Sequence, residues 1–206
     1  MRSRWVALIA GIGVLHCWGQ QPEMRIVLEQ QTGSTFRVVN PQHVFKTGDT
    51  IRFRVHSSSD GFLYVSNRAA SGKYEELFPA KGADNRLEHD KDYRIPASSR
   101  SWFRIDKPAG YETIFFTFAT APLVRRNQTY PKPIPQAPAA ELIPRCDDAL
   151  FRARGECLDV SAGAQSAGDG LTARDVSVVQ GPGVSVVTPA STGDAPMVYE
   201  FRIAHR

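Results

Sequence analysis

The residues best able to do chemistry fall into six groups. The densest run of oxygen donors is Asp84, Asn85, Glu88, Asp90 and Asp92. Calcium takes about six to eight such oxygens from loops, so a site is physically conceivable. The spacing does not fit a helix-loop-helix calcium motif, and Arg86, Lys91 and Arg94 can neutralise the run; a solvated polar loop is the plainer reading. His43, His56, His89 and His205 are scattered, with no HExxH pair and no close His-Cys combination, which argues against a zinc site of about three or four convergent ligands. Asp147-Asp148 is no acid-base pair, because adjacent carboxylates point to different faces of a helix. Gly163-Ala164-Gln165-Ser166-Ala167-Gly168 lacks the Gly two residues before Ser that a nucleophile elbow requires, and it reads as a linker. No phosphate-binding glycine loop occurs. The sequence therefore names no catalytic residue, no metal ligand and no cofactor.

The last two groups carry more. Arg52 and Arg54 lie on one face of an alternating run, with Arg37 as a candidate neighbour. Arginines on a sheet face pair with carboxylates or phosphates of a partner, against the plain alternative of a solvated strand face. Cys146 and Cys157 form an even pair once Cys17 is set aside, and a disulfide is expected in an oxidising compartment. That expectation has a geometric condition. A helix running the full length of Pro144–Arg154 would carry Arg154 about 12 Å beyond Cys146, whereas a bridge needs Cα atoms within roughly 7 Å. The bridge therefore requires a short or frayed helix.

The compartment comes from the N-terminus. Arg2 and Arg4 precede an uncharged apolar run, Trp5–Leu15, that spans roughly 16 Å as a helix, about half a bilayer core. Cys17-Trp18-Gly19 then sets small residues where a signal peptidase reads, so residues 1–19 read as a signal peptide cut after Gly19. A rival reading makes Val14-Leu15-His16-Cys17 a lipoprotein box that acylates Cys17, although His16 is bulky for that signal. Either way the chain is expected to be exported, periplasmic or extracellular, with no transmembrane segment in the mature chain. Lys and Arg number 25 against 21 Asp and Glu, a net +4, and removing the leader leaves about +2. That excludes a strongly basic nucleic-acid binder.

The elements that must position these residues are strands. Thr50–His56 (TIRFRVH) sends Ile51, Phe53 and Val55 to one face and Arg52, Arg54 and His56 to the other. Ser57–Gly61 is turn chemistry, and Phe62–Val65 is expected as the antiparallel partner of the preceding strand. Thr35–Val39, Tyr74–Phe78, Trp102–Ile105, Glu112–Thr120 and Met197–Ile203 are further strands, and Val184–Val187 reads as an edge strand. Pro131, Pro133, Pro135 and Pro138 favour extended backbone, and Ser161–Gly170 reads as a flexible linker. The pattern predicts an all-β fold, an immunoglobulin-like antiparallel β-sandwich with one short helix and a Pro-rich, Cys-containing insertion. Residues 20–126 form its main part, 127–170 the insertion and 171–206 the strands that complete it; a separate C-terminal subdomain is the alternative. Asn127-Gln128-Thr129 fits a glycosylation acceptor only for a eukaryotic secretory route.

A chain of short signatures runs through the first part: Phe45-Lys46-Thr47-Gly48-Asp49 into Ile51-Arg52-Phe53, then Asp60-Gly61-Phe62-Leu63-Tyr64-Val65, Gly72, Leu77-Phe78-Pro79, Ile95-Pro96-Ala97, Phe103, Ile105 and Pro108-Ala109-Gly110-Tyr111-Glu112. In this order and spacing, His43–Leu123 resembles the bacterial family called domain of unknown function 4384, and Val198–His205 looks like its closing strand. The resemblance implies an extracytoplasmic β-rich module, and it brings no catalytic residues. Gly48-Asp49 and Asp60-Gly61 read as turn formers that permit positive φ. The function expected is an exported, non-enzymatic module that binds a protein or other component of the bacterial envelope. An exported hydrolase gathering His56 or His89 with the acidic loop, or a calcium-stabilised structural protein, are the alternatives.

Overall fold

The computed structural model describes residues 21–80, 83–97, 102–123, 143–166, 176–190 and 193–206. The expected leader with Cys17, the Pro-rich run and Asn127 lie outside the described residues. The architecture is an all-β sandwich of two sheets. In the first sheet, β1 (Met24–Thr32) and β4 (Thr50–Ser57) form the centre. Beyond β4 lie the short strands β8 (Asp92–Ile95) and β9 (Phe103–Arg104). Beyond β1 lie β13 (Ser185–Pro189) and β12 (Val176–Gln180), and β2 (Thr35–Val38) hairpins onto the far end of β1. In the second sheet, β10 (Gly110–Ala119) pairs with β14 (Met197–His205) and with β5 (Gly61–Arg68). β6 (Tyr74–Phe78) and β7 (Arg86–Leu87) border β5, while β11 (Gly163–Ser166) and the parallel β3 (Val44–Phe45) border β14. The single helix among the described residues, α1, spans Asp148–Arg154, and no described helix is long and apolar enough to cross a membrane.

The core is set by phase. Ile51, Phe53 and Val55 face inward from β4 and Met24, Ile26 and Leu28 from β1; across the gap stand Leu63, Val65, Ile114, Phe116, Phe118, Tyr199 and Phe201. Phe53 reaches between the sheets, with ring centroids 5.4 Å from Phe116 and 5.3 Å from Phe201, both near-perpendicular. Tyr199 stacks on Phe116 at 5.3 Å. Such aromatic pairs add about 0.5–1.5 kcal/mol beyond their buried area.

Four sequence expectations change. Phe62–Val65 does not hairpin onto β4: β4 and β5 belong to different sheets, and Ser58–Asp60 carries the chain across the sandwich. Both edges of β5 are taken by β10 on one side and β6 with β7 on the other. Val184–Val187 is not an edge strand, because β12 lies outside it. The expected linker over residues 161–170 contains β11, which pairs with Glu200 and its neighbours from Gly163 to Ser166; Gly163 (φ 96°) makes the bend that admits it. At Gly61 the constraint is space, not φ. A Cβ there would lie 2.4 Å from the Phe118 ring and 2.7 Å from the Ala119 carbonyl oxygen. Gly48 (φ 95°) does occupy the left-handed region, and the Asp49 carboxylate closes its turn by accepting from the Lys46 N–H at 2.8 Å.

The inward phase ends in a polar cluster. Glu112 continues the inner face of β10, and fully buried His205 continues that of β14, with His205 Nε2 3.6 Å from Glu112 Oε1. Glu112 accepts from Asn67 Nδ2 at 2.9 Å and from the Ala70 N–H at 3.3 Å. Burial alone would raise the Glu112 carboxyl, but His205, Asn67 and Ala70 together hold it below its ordinary value of 4.5. A depressed carboxyl stabilises the fold fully above the unfolded value, and that stability is lost as pH falls through the folded value. Glu112→Gln should therefore lower stability at pH 7, and its deficit relative to wild type should shrink as pH drops below 4.5. Urea melts across that range test this; a deficit independent of pH would refute it.

Candidate interaction face

Inward phase on β4 dictates what faces out. Arg52, Arg54 and His56 stand on the outer face of the first sheet, as the alternation predicts, and each is half-buried among its neighbours. The register brings β1 against them: Glu29 lies opposite Arg52, Val27 opposite Arg54 and Arg25 opposite His56. On the other side Arg94 lies opposite Arg54, Asp92 opposite His56, and Arg104 opposite Thr50.

Glu29 is the hub. Its side chain is only 10% exposed, Oε2 accepts from Arg52 Nε at 2.6 Å, and Oε1 lies 3.3 Å from Arg54 Nε. Charge-assisted contacts of this length are about twice as strong as neutral ones, and burial reduces solvent screening. The Arg52 guanidinium also lies 3.8 Å from the centroid of the Phe36 ring, a cation–π contact. Arg54 Nη1 reaches Asp92 Oδ2 at 3.2 Å. His56 closes the chain, with Nδ1 3.2 Å from Asp92 and Nε2 3.6 Å from Asp90. By contrast, Arg94 and Arg104 are exposed and have no ion pair among the described residues. Beside this charged ladder run Val27, Val186, Val38 (48% exposed) and Val179 (66% exposed), all on the same outer face. The surface joins fixed and unpaired guanidinium groups to an apolar flank.

Arg37 is not part of it. It pairs with Gln30, which shares the face of Ile51, so it leaves the sheet on the side opposite Arg52 and Arg54. A one-residue phase difference is enough to move a side chain to the other face.

The other chemical candidates are dispersed. Asp84 caps its own turn by accepting from the Arg86 N–H, Glu88 pairs with Lys91, and Asp90 and Asp92 turn to His56. Among the described residues, no three His, Cys, Asp or Glu side chains converge as metal ligands. His89 Nδ1 lies 2.8 Å from Asp60, whose hydrogen bond raises the imidazole pKa. Both nitrogens of His56 face carboxylates, so neither is turned toward a hydroxyl as a base would be. His43 packs edge-on against Phe45, and burial lowers its pKa.

Cys146 and Cys157 are bonded, with Cα atoms 4.7 Å apart. The geometric condition is met because α1 begins only at Asp148, with Asp147 as its N-cap accepting from the Ala149 and Leu150 N–H groups, and ends at left-handed Gly155. The helix buries none of its residues. What docks the stapled loop is the segment after it: Val44 N–H donates to the Cys157 carbonyl, and Leu158 is fully buried.

Sequence reasoning missed Glu29, Arg94, Arg104 and Phe36. A signal existed for Glu29: Met24, Ile26 and Leu28 alternate with Arg25, Val27 and Glu29. Residues 44–122 match the model of a family described only as a domain of unknown function, DUF4384, and so contain β4, β8 and β9 but neither β1 nor the disulfide. No curated protein and no solved structure matches the chain.

If Glu29 organises the face, removing its charge should be felt in stability. Glu29→Gln should cost about 1–3 kcal/mol, because Arg52 is left beside a neutral amide. Chemical denaturation at neutral pH checks this, and a cost below about 0.5 kcal/mol, the range of an ordinary surface change, would show that the pair is not a structural hub.

Proposed function

We propose that the protein is exported and acts as a non-enzymatic module that binds a protein or another component of the bacterial envelope through the outer face of its first sheet. The observation that carries this reading is the ladder Arg52–Glu29–Arg54–Asp92–His56 on the outer face of the sheet, beside exposed Arg94 and Arg104, which have no ion pair among the described residues. Uncompensated guanidinium groups next to exposed valines form a surface that gains by being covered by a partner with carboxylates. Two features support export: the leader-like residues 1–19, and a disulfide of the kind that persists outside the cytosol.

Binding is tested by crosslinked capture. Oxidised residues 20–206 are incubated with envelope fractions of the producing organism, beside Arg94→Glu with Arg104→Glu and beside unfolded protein. A saturable component lost with both the double variant and unfolding is the expected result. A component retained by the double variant would move the site elsewhere, and saturable capture of nothing would sink the reading. Export is tested by the intact mass of the natural protein from each cell fraction. The expected mass begins at Gln20 and is found outside the cytoplasm; a diacylglyceryl group on Cys17 would establish the anchored form, and an unprocessed cytoplasmic chain would overturn export.

A further inference from the structure

Outer-face positions on one strand recur about every 6.6–6.8 Å, two residues of rise. The first sheet places a guanidinium at three successive such rows along β4: Arg104 opposite Thr50, then Arg52, then Arg54 with Arg94 opposite it. Like charges directly opposite one another repel, so Arg94 gains from a carboxylate of its own opposite Arg54. Two carboxylates reach that row, Asp92 at 3.2 Å and Glu29 at 3.3 Å, both through Arg54, so Arg94 is its uncompensated member. Glu29 is shared between the Arg52 and Arg54 rows, and the Arg104 row has no carboxylate among the described residues. The face is thus a periodic, under-compensated row of guanidinium groups, flanked on the β1 and β2 side by Val27, Phe36 and Val38.

We infer that this face takes an acidic polypeptide segment in extended conformation, laid along β4, with carboxylates on alternate residues. The inference rests on the binding-face reading and sharpens it to a partner chemistry. An extended chain turns every second side chain to the same side, at the same spacing as the arginine rows. A carboxylate in each row matches the planar fork of guanidinium, and the apolar flank receives the aliphatic parts of the segment. Anionic membranes and other polyanions bind in proportion to the number of charges neutralised. On this face only Arg94 and Arg104 lack a carboxylate among the described residues, too few to favour a diffuse anionic surface over a spaced one.

The test uses the oxidised protein and fluorescein-labelled peptides, with affinity read by anisotropy. The probes are two C-terminally amidated octapeptides of equal composition and charge, each carrying fluorescein on its N-terminus. In one, glutamate and threonine alternate; in the other, all the glutamates precede all the threonines. Vesicles of phosphatidylglycerol and phosphatidylcholine form the membrane arm. The alternating peptide should bind about tenfold more tightly than the block peptide, a difference of about 1.4 kcal/mol. Arg94→Glu with Arg104→Glu should remove that preference while leaving the melting temperature near wild type, because both side chains are exposed. Lys73→Glu, an equal type of charge change off the face, should preserve it. Equal affinity for the two peptides, a preference that survives the double variant, or binding to vesicles but not peptides would overturn the inference. If envelope capture still depends on Arg94 and Arg104 while the peptides are not distinguished, the binding face stands and only the acidic-strand chemistry fails.

Discussion

The structure depends on one contact across its middle: the Phe53 ring wedged between Phe116 and Phe201 of the opposite sheet. It joins the centre of the first sheet to the paired β10 and β14, which form the centre of the second. Phe116 is in turn stacked on Tyr199, whose hydroxyl is fully buried without a hydrogen-bond partner. An unpaired buried hydroxyl costs about 1–3 kcal/mol. It is offset by the packing of the aromatic cluster, so the ring is worth more there than its polar end loses. With Phe53 fixed inward, the phase of every other β4 residue follows.

That phase is the link from core to surface. The side-chain period of a strand is two, so Arg52 and Arg54 face out because Ile51, Phe53 and Val55 face in. The same holds for β1, where Leu28 inside dictates Glu29 outside, opposite Arg52. The Glu29–Arg52–Arg54 cluster is therefore not an independent surface feature. It is set by the register that the core imposes, and a one-residue slip of β1 would break it together with the packing of Met24, Ile26 and Leu28.

How much of this can be read from sequence varies by element. TIRFRVH is legible because its alternation is unbroken and its apolar residues are large. The family signatures also lie where strands and turns occur, though Gly61 is required by the nearness of Phe118 and not by its dihedral. The partner of β4 is not legible. A hairpin and a crossing between sheets share the same strand period and the same turn residues, so Ser57–Gly61 serves either. β1 is obscured because apolar Val27 stands at an outward position and polar Gln30 at an inward one, which breaks the alternation late in the strand. β11 is hidden by composition, since Gly163 and Ala164 carry no strand signal and are placed there by pairing with β14. The face itself is half visible. Arg52 and Arg54 stand within one strand, while Glu29, Arg94 and Arg104 come from three others.

This distribution bears on how the face could bind. Arg52 and Arg54 are held by Glu29 and Asp92 on a strand whose other side is core, so their rotamers are restrained before any partner arrives. Ordering a long side chain on binding costs about 0.5–1.5 kcal/mol, and here that cost is met mainly in folding. Arg94 and Arg104 sit on the short edge strands β8 and β9 and remain exposed. They can adjust to an incoming carboxylate and would contribute through its approach as much as through its final contact. A rigid inner pair beside adjustable outer ones separates two requirements. The inner arginines define spacing and direction along β4, and the outer ones supply the uncompensated charge that makes an acidic partner favourable. On the proposed acidic-strand reading, the core that fixes Phe53 is then also what would make the face selective for the spacing of charge and not merely for its sign.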